Sequence, residues 1–335
     1  MKEPIFNIIF LPDTVSFQSL PLISLLLNTP YKFRLVGNAL GNQESALLKQ
    51  ICETSNRLNF LNVESESILP HGTLLDLLFF NESHELFCFM DPDIFAFEKV
   101  TTGVYDLLGN DAVFSSCSRM ENDVDSIYSG FKGGATTVSH DGKIPLASSF
   151  FCIYKRTALA HTMDTFGVGF EQYRSIEQIP DSARHVINTY NISFEMFDTG
   201  KLLSVLMHHL NFSKQYQNID GLVHIGGMSG RYLNKGFVDY DLISKSIKTA
   251  KLESADTKFN VRSRDEIVFK KILGTYFYAY LNYLIGECPM PEINTDSSEH
   301  QATILQFKQQ IDQLFDAARH SDEGKIIIQL VSRKP

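Results

Sequence analysis

The sequence predicts an α/β chain: an open, mixed sheet, mainly parallel and flanked by helices, followed by a mainly helical C-terminal extension. Three observations carry that prediction. Short apolar runs alternate with helix-length segments through much of the 335 residues. One run, Phe87-Cys88-Phe89-Met90, is apolar at every position, as a strand covered on both faces must be. Beyond Lys235 the strand-like runs give way to apolar residues at helical spacing. We therefore expect residues 1–240 to form the sheet domain and residues 241–335 the helical extension.

In chain order, Phe6 to Leu11 is a short apolar strand stopped by Pro12 and Asp13, and Phe17 to Leu27 then carries apolar residues at helical intervals. Lys32 to Val36 is a second strand ending at Gly37-Asn38, followed by a helix from about Asn42 through Ala46, Leu47 and Ile51. Asn59 to Val63 is the third strand, Gly72 to Phe80 a helix, and Glu85 to Met90 the fourth, fully buried strand. Strands separated by helices of this length form parallel βαβ units, whose ligands bind at the carboxyl ends of the strands.

Ala112 to Ser116 continues the strands, and residues 121–142 form a polar loop rich in Gly, Ser and Asp, of a length uncommon except in functional lids or disordered segments. Ala147 to Tyr154 is a strand, Arg156 to Phe166 a helix, Thr199 to Leu210 a helix entered through Asp198, and Leu222 to Ile225 a short strand before Gly226-Gly227. In the extension, Leu273, Tyr276, Phe277, Tyr280, Leu281 and their neighbours make one apolar stripe. It either packs on the sheet domain or, given the aromatics of Tyr276 to Tyr283, meets a lipid surface or lipid-linked acceptor. Ile304, Phe307, Ile311, Leu314 and Ala318 follow with helical spacing over too short a span for a coiled coil.

Composition narrows the function. Lys and Arg number 30 against 39 Asp and Glu, a net charge of −9 with no basic run. That argues against nucleic acid as a partner. It is compatible with a nucleotide diphosphate where a metal ion and a few local cations supply the positive field. The 5 cysteines are scattered and unpaired in spacing, as reduced thiols of a cytoplasmic protein are. No apolar stretch reaches the roughly 18–20 residues of a membrane span, and the N-terminus lacks a secretory signal. We expect a soluble chain, with peripheral membrane contact and homo-oligomerisation both left open.

The informative segment is Asp91-Pro92-Asp93, directly after the buried strand. Residues i and i+2 of an extended segment point to one side, and Pro92 restrains its own φ and its predecessor's backbone. The two carboxylates then share a side at the sheet edge and can hold a hard cation such as Mn²⁺ or Mg²⁺, which also binds phosphate oxygens. The plainer reading is a solvated turn.

At Asp91-Pro92-Asp93 the sequence resembles the GT-A fold glycosyltransferases, whose DxD motif follows a central strand in this way. As an order of elements the resemblance extends over roughly Phe6 to Lys235. It implies a metal-dependent hexosyltransferase of polysaccharide biosynthesis that moves a sugar from a UDP- or GDP-sugar donor to a glycan or other hydroxyl acceptor, lipid-linked acceptors included. It also implies a histidine near the end of the catalytic domain that completes the metal shell. His224 stands in that place, before Gly226, Gly227 and Gly230 and the cations Arg231 and Lys235, which are suited to a leaving diphosphate. A core histidine beside a glycine turn is the competing reading. A second acidic motif near the acceptor is implied as well, and Glu195 and Asp198 precede a helix where it would fall. In an inverting enzyme either could accept the acceptor hydroxyl's proton, with Asp198 ahead, whereas a retaining enzyme needs neither as a base, and the sequence does not decide between the two. Asp198 is equally suited to cap the helix. Pro12-Asp13-Thr14 occupies the family's usual base-contact position, making Asp13 and Thr14 donor-binding candidates, although Asp13 could instead cap the next helix. The adjacent His208 and His209 diverge by about 100° on a helix and cannot easily share an ion.

The chain has no GxxxxGK[ST] loop, no GxGxxG after the first strand and no GxSxG elbow, so kinase-like, dinucleotide-dependent and serine-hydrolase readings lack support. Sugar-nucleotide pyrophosphorylases would carry a glycine-rich basic loop where Pro12 to Ser16 stands. A non-catalytic sugar- or nucleotide-binding relative of the same fold is the remaining alternative.

Overall fold

The computed structural model describes residues 3–116, 136–139, 142–192, 197–225 and 264–332. The first four strands, β1 (Ile5–Phe10), β2 (Lys32–Asn38), β3 (Leu58–Val63) and β4 (Leu86–Met90), are mutually parallel and joined through α1 (Val15–Asn28), α2 (Asn42–Cys52) and α3 (His71–Phe80). Next come β5 (Ile94–Ala96), α4 (Val104–Leu108), β6 (Val113–Ser116), the hairpin β7 (Thr136–Ser139) and β8 (Gly142–Pro145), and β9 (Phe151–Lys155). The hairpin puts regular structure at the end of the stretch expected to be loop; residues 117–135 and 140–141 lie outside the described residues. The series continues through α5 (Arg156–Phe166), α6 (Asp181–Thr189), α7 (Lys201–His209), β10 (Lys214–Gln217) and β11 (Leu222–His224).

Among the described residues the main sheet has seven strands in the order β10-β6-β9-β4-β1-β2-β3. Only β9 runs against its neighbours β4 and β6, so the sheet is mixed and mainly parallel, as expected. The chain moves outward from β1 to β3 and returns to lay β4 on the other side of β1. The crevice between the carboxyl ends of β1 and β4 is thus a topological switch point, the preferred ligand position in open α/β sheets.

Strand alternation divides the core in two. Phe6, Ile8 and Phe10 of β1, with Leu86, Cys88 and Met90 of β4, face α1 and α2; Phe87 and Phe89 face the other way, with Leu74, Leu78, Leu159 and Leu206. That two-sided burial is why β4 reads as an unbroken apolar run. The C-terminal helices α8 (Arg264–Leu284), α9 (Ser298–His320) and α10 (Asp322–Val331) pack on the α1 side. Leu273, Tyr276, Phe277, Tyr280 and Leu281 are buried, and Tyr278 meets Phe17 of α1 edge-on at 5.0 Å, so the aromatic stripe is largely consumed in packing. No helix among the described residues is long and apolar enough to cross a membrane. The boundary expected near residue 240 lies outside the described residues.

Candidate metal centre

The end of β4 delivers Asp91 to the switch point, where the chain leaves the sheet through a turn at Pro92 and Asp93 instead of continuing extended. Asp93 is almost fully buried, at 2% exposure, whereas the Asp91 side chain keeps 30%. The turn leads straight into β5, which pairs antiparallel with β11, Ile94 opposite His224. The Ile225 amide donates to the Asp93 carbonyl at 3.2 Å. This two-stranded ladder explains why a histidine more than a hundred residues downstream sits beside the aspartates. Gly221 makes the approach possible. Its φ is +77°, its carbonyl accepts from the Phe97 amide at 2.7 Å, and a Cβ there would lie 2.7 Å from the Glu98 Cβ.

His224 Nε2 lies 3.0 Å from Asp93 Oδ1 and 3.4 Å from Asp91 Oδ2. The three residues can each offer one ligand atom within 4.8 Å of the others. Burial opposes a charge on His224, and the Asp93 and Asp91 carboxylates outweigh it, raising the imidazole pKa from 6.5 to about 9. A bound cation would compete with the proton for the His224 ring nitrogen. Two carboxylate oxygens and an imidazole suit Mn²⁺ or Mg²⁺, and they leave the remaining positions of a six-coordinate ion to phosphate and water. The donor set thus fits the ion expected from the sequence.

Phe150 backs the centre. Its ring stacks on the His224 imidazole, with centroids 4.2 Å apart and planes 18° apart, and its carbonyl accepts the Asp91 amide at 2.8 Å. Because Phe151 of β9 pairs with Met90 of β4 in antiparallel register, residues 147–150 line the same sheet edge as Asp91.

The other candidates are distributed as follows. At the end of β1, Thr14 is buried, and its hydroxyl donates to the Leu11 carbonyl at 2.7 Å while accepting the Leu11 amide at 3.1 Å, so it closes the turn. Asp13 is exposed at the tip of that turn with φ of +60°, and Thr14 holds the N-cap position of α1. Asp198 lies just before α7, whose N-cap is Gly200 with φ of +72°, so Asp198 does not occupy the capping position. Its Oδ1 accepts from Gln172 Nε2 at 3.0 Å and from the Thr199 amide at 2.9 Å. Glu195, Arg231 and Lys235 lie outside the described residues, as do Gly226, Gly227 and Gly230.

Sequence reasoning missed Phe150 and the hydroxyl pair beneath it. Ser148 Oγ is 2.9 Å from Ser115 Oγ and donates to the Phe151 carbonyl at 3.0 Å. Small hydroxyl residues inside strand-like runs carry no spacing signal that would single them out. A cavity of about 400 Å³ beside Lys155, His161 and Phe212 opens at the opposite sheet edge, where β9 ends, away from the carboxylates.

No protein-family model and no curated protein matches the sequence. Among solved structures, the chain is similar to the mannosyltransferase PcManGT from Pyrobaculum calidifontis in complex with GDP-Man and Mn²⁺, at 11% identity over 99% of this chain and 87% of that one, with a TM-score of 0.41. It is similar to S. aureus TarS 1–349 in complex with UDP-GlcNAc at 14% identity, covering 98% and 90% of the two chains, with a TM-score of 0.38. A third likeness, to the galactosyltransferase LgtC in complex with donor and acceptor sugar analogs, has 9% identity, coverage of 64% and 73%, and a TM-score of 0.35. Similarity this low transfers no activity, so the functional argument rests on the residues themselves.

Proposed function

We propose that this chain is a metal-dependent glycosyltransferase that moves a sugar from a nucleoside-diphosphate sugar to a hydroxyl of a glycan or lipid-linked acceptor. The supporting observation is the convergence of Asp91, Asp93 and His224 at the β1/β4 switch point. These residues hold Mn²⁺ or Mg²⁺ through two carboxylates and one imidazole. An ion held there would supply the positive charge that neutralises a donor diphosphate and stabilises it as the leaving group. In this reading Asp13, which is exposed on the neighbouring turn, meets the nucleotide base. Thr14 shapes that turn through its hydroxyl. Arg231 and Lys235 add positive charge against the departing phosphates.

On the acceptor side, Asp198 takes the proton of the attacking hydroxyl as oxygen bonds to the anomeric carbon. The Gln172 and Thr199 donors hold Oδ1. Glu195 is the alternative base. A reduced, cytoplasmic setting agrees with Cys52, Cys88, Cys152 and Cys288 all being free thiols.

A melting-temperature screen of UDP and GDP, each with and without Mn²⁺, tests the reading. A rise that requires nucleotide and metal together is expected, worth about 2.7 kcal/mol at a ligand concentration 100 times Kd. No rise with any combination would contradict it. Binding without transfer of a donor sugar would favour the non-catalytic relative.

A further inference from the structure

The His224 side of the centre leans on residues 147–150, and that segment is itself gripped from α7. Lys201 Nζ donates to the Ala147 carbonyl at 2.7 Å, and the Ala147 amide donates to Ser204 Oγ at 3.0 Å. Both backbone groups of one residue are therefore held by side chains of a single helical turn. Lys214 adds to the grip, donating from Nζ to the Pro145 carbonyl at 3.0 Å and to the Ser204 carbonyl. Lys201 and Ser204 are each only 1% exposed. Burying the Lys201 ammonium group is costly unless it is hydrogen-bonded, so its bond to Ala147, with part-buried Lys214 on Pro145 beside it, marks this segment as one whose position matters.

From Ala147 the path to the centre is short. Ser148 is fixed by Ser115 and by the Phe151 backbone, its amide donating to Ser115 Oγ at 2.7 Å. Phe150 then presents its ring to His224 and its carbonyl to the Asp91 amide. At the other end, the Lys201 amide donates to the Asp198 carbonyl at 3.0 Å. The first turn of α7 is thus tied both to Asp198, just before it, and to the segment that backs the metal side.

We propose that the first turn of α7 positions the metal centre: Lys201 and Ser204 fix Ala147, and through Phe150 they set the plane of the His224 ring and the main chain of Asp91. This rests on the metal-binding reading of the centre. Lys201 and Ser204 are positioning residues, since neither touches the carboxylates or the imidazole in the contacts described. Partners that orient metal ligands typically change metal affinity by about 10–100-fold when removed.

The test compares Ser204→Ala, Ser204→Thr and Lys201→Met with the wild type by two measurements. The first, needing no metal, is the proton NMR shift of the His224 ring, displaced by the ring current of stacked Phe150 and assigned through His224→Gln. The second is Mn²⁺ affinity from electron paramagnetic resonance of the free ion in the presence of nucleoside diphosphate. Ser204→Ala and Lys201→Met are expected to move the His224 shift toward that of an unstacked histidine and to weaken Mn²⁺ binding about 10–100-fold. Ser204→Thr, which keeps the hydroxyl, is expected to restore both. Variants that lower the melting temperature yet leave shift and affinity at wild-type values would overturn the proposal. A wild type that binds no Mn²⁺ would refute the metal reading instead, and the NMR shift would still decide whether α7 sets the His224 ring.

Discussion

Asp198→Asn separates chemistry from architecture at the residue proposed to accept the acceptor's proton. Asp198 Oδ1 takes two hydrogen bonds, at 3.0 Å from Gln172 and 2.9 Å from Thr199, and the amide oxygen of asparagine can take both. Asp198→Ala loses them. At about 0.5–1.5 kcal/mol per bond, the alanine variant is expected to lose about 1–3 kcal/mol of stability, and the asparagine variant less than that. The catalytic consequence is much larger. Losing a general base lowers the rate about 10²–10⁴-fold, equivalent to roughly 3–5 kcal/mol of barrier. Initial rates at saturating donor, run beside melting temperatures and nucleotide affinity, are expected to show a nearly stable, donor-binding, almost inactive Asn variant. An Asn variant that transfers sugar at the wild-type rate would refute the assignment, and Glu195 would become the residue to test.

Two further outcomes follow from the packing. Gly221→Ala forces a side chain into a left-handed conformation against Glu98, and is expected to cost about 1–3 kcal/mol and loosen the β5–β11 ladder that presents His224. An unchanged denaturation midpoint would show that the ladder tolerates it. Burial lowers the Lys214 pKa from 10.5 to about 7, so between those values the unfolded chain binds more protons and this group's contribution to stability rises with pH. Denaturation at pH 7 and pH 9.5 is accordingly expected to show the wild type gaining stability relative to Lys214→Met at the higher pH. The same difference at both values would contradict the shift.

The sequence made the framework legible where burial leaves a periodic trace. The βαβ series from β1 to β4 and the helix Arg156–Phe166 stand where the apolar pattern puts them, because each buries one stripe or two faces against a neighbour. Asp91 and Asp93 stood out for the same reason: they follow an unbroken apolar strand, which is buried along its whole length and ends at the sheet edge. Other features left no trace. Ile94 to Ala96 reads as the tail of one apolar run, and nothing local says that it turns and pairs with Leu222 to His224. Lys214 to Gln217, with intermediate and exposed positions on an edge strand, lacks the apolar signature altogether. Asp198 has the composition of a helix cap, but Gly200, able to adopt positive φ, takes that place. The Ser115–Ser148 pair and the lysines Lys201 and Lys214 depend on contacts between segments far apart in the chain, which no one-dimensional pattern encodes.

The central claim is that Asp91, Asp93 and His224 together hold a divalent ion beneath a nucleoside diphosphate. A crystal grown with Mn²⁺ and the nucleoside diphosphate chosen by the melting screen, with data collected at the manganese absorption edge, tests it most directly. The account expects one anomalous peak between the three side chains, bonded to an Asp91 oxygen, an Asp93 oxygen and His224 Nε2, with the diphosphate completing the shell. A nucleotide bound elsewhere on the chain, or bound at this edge with His224 still hydrogen-bonded to Asp93 and no manganese between them, would contradict it.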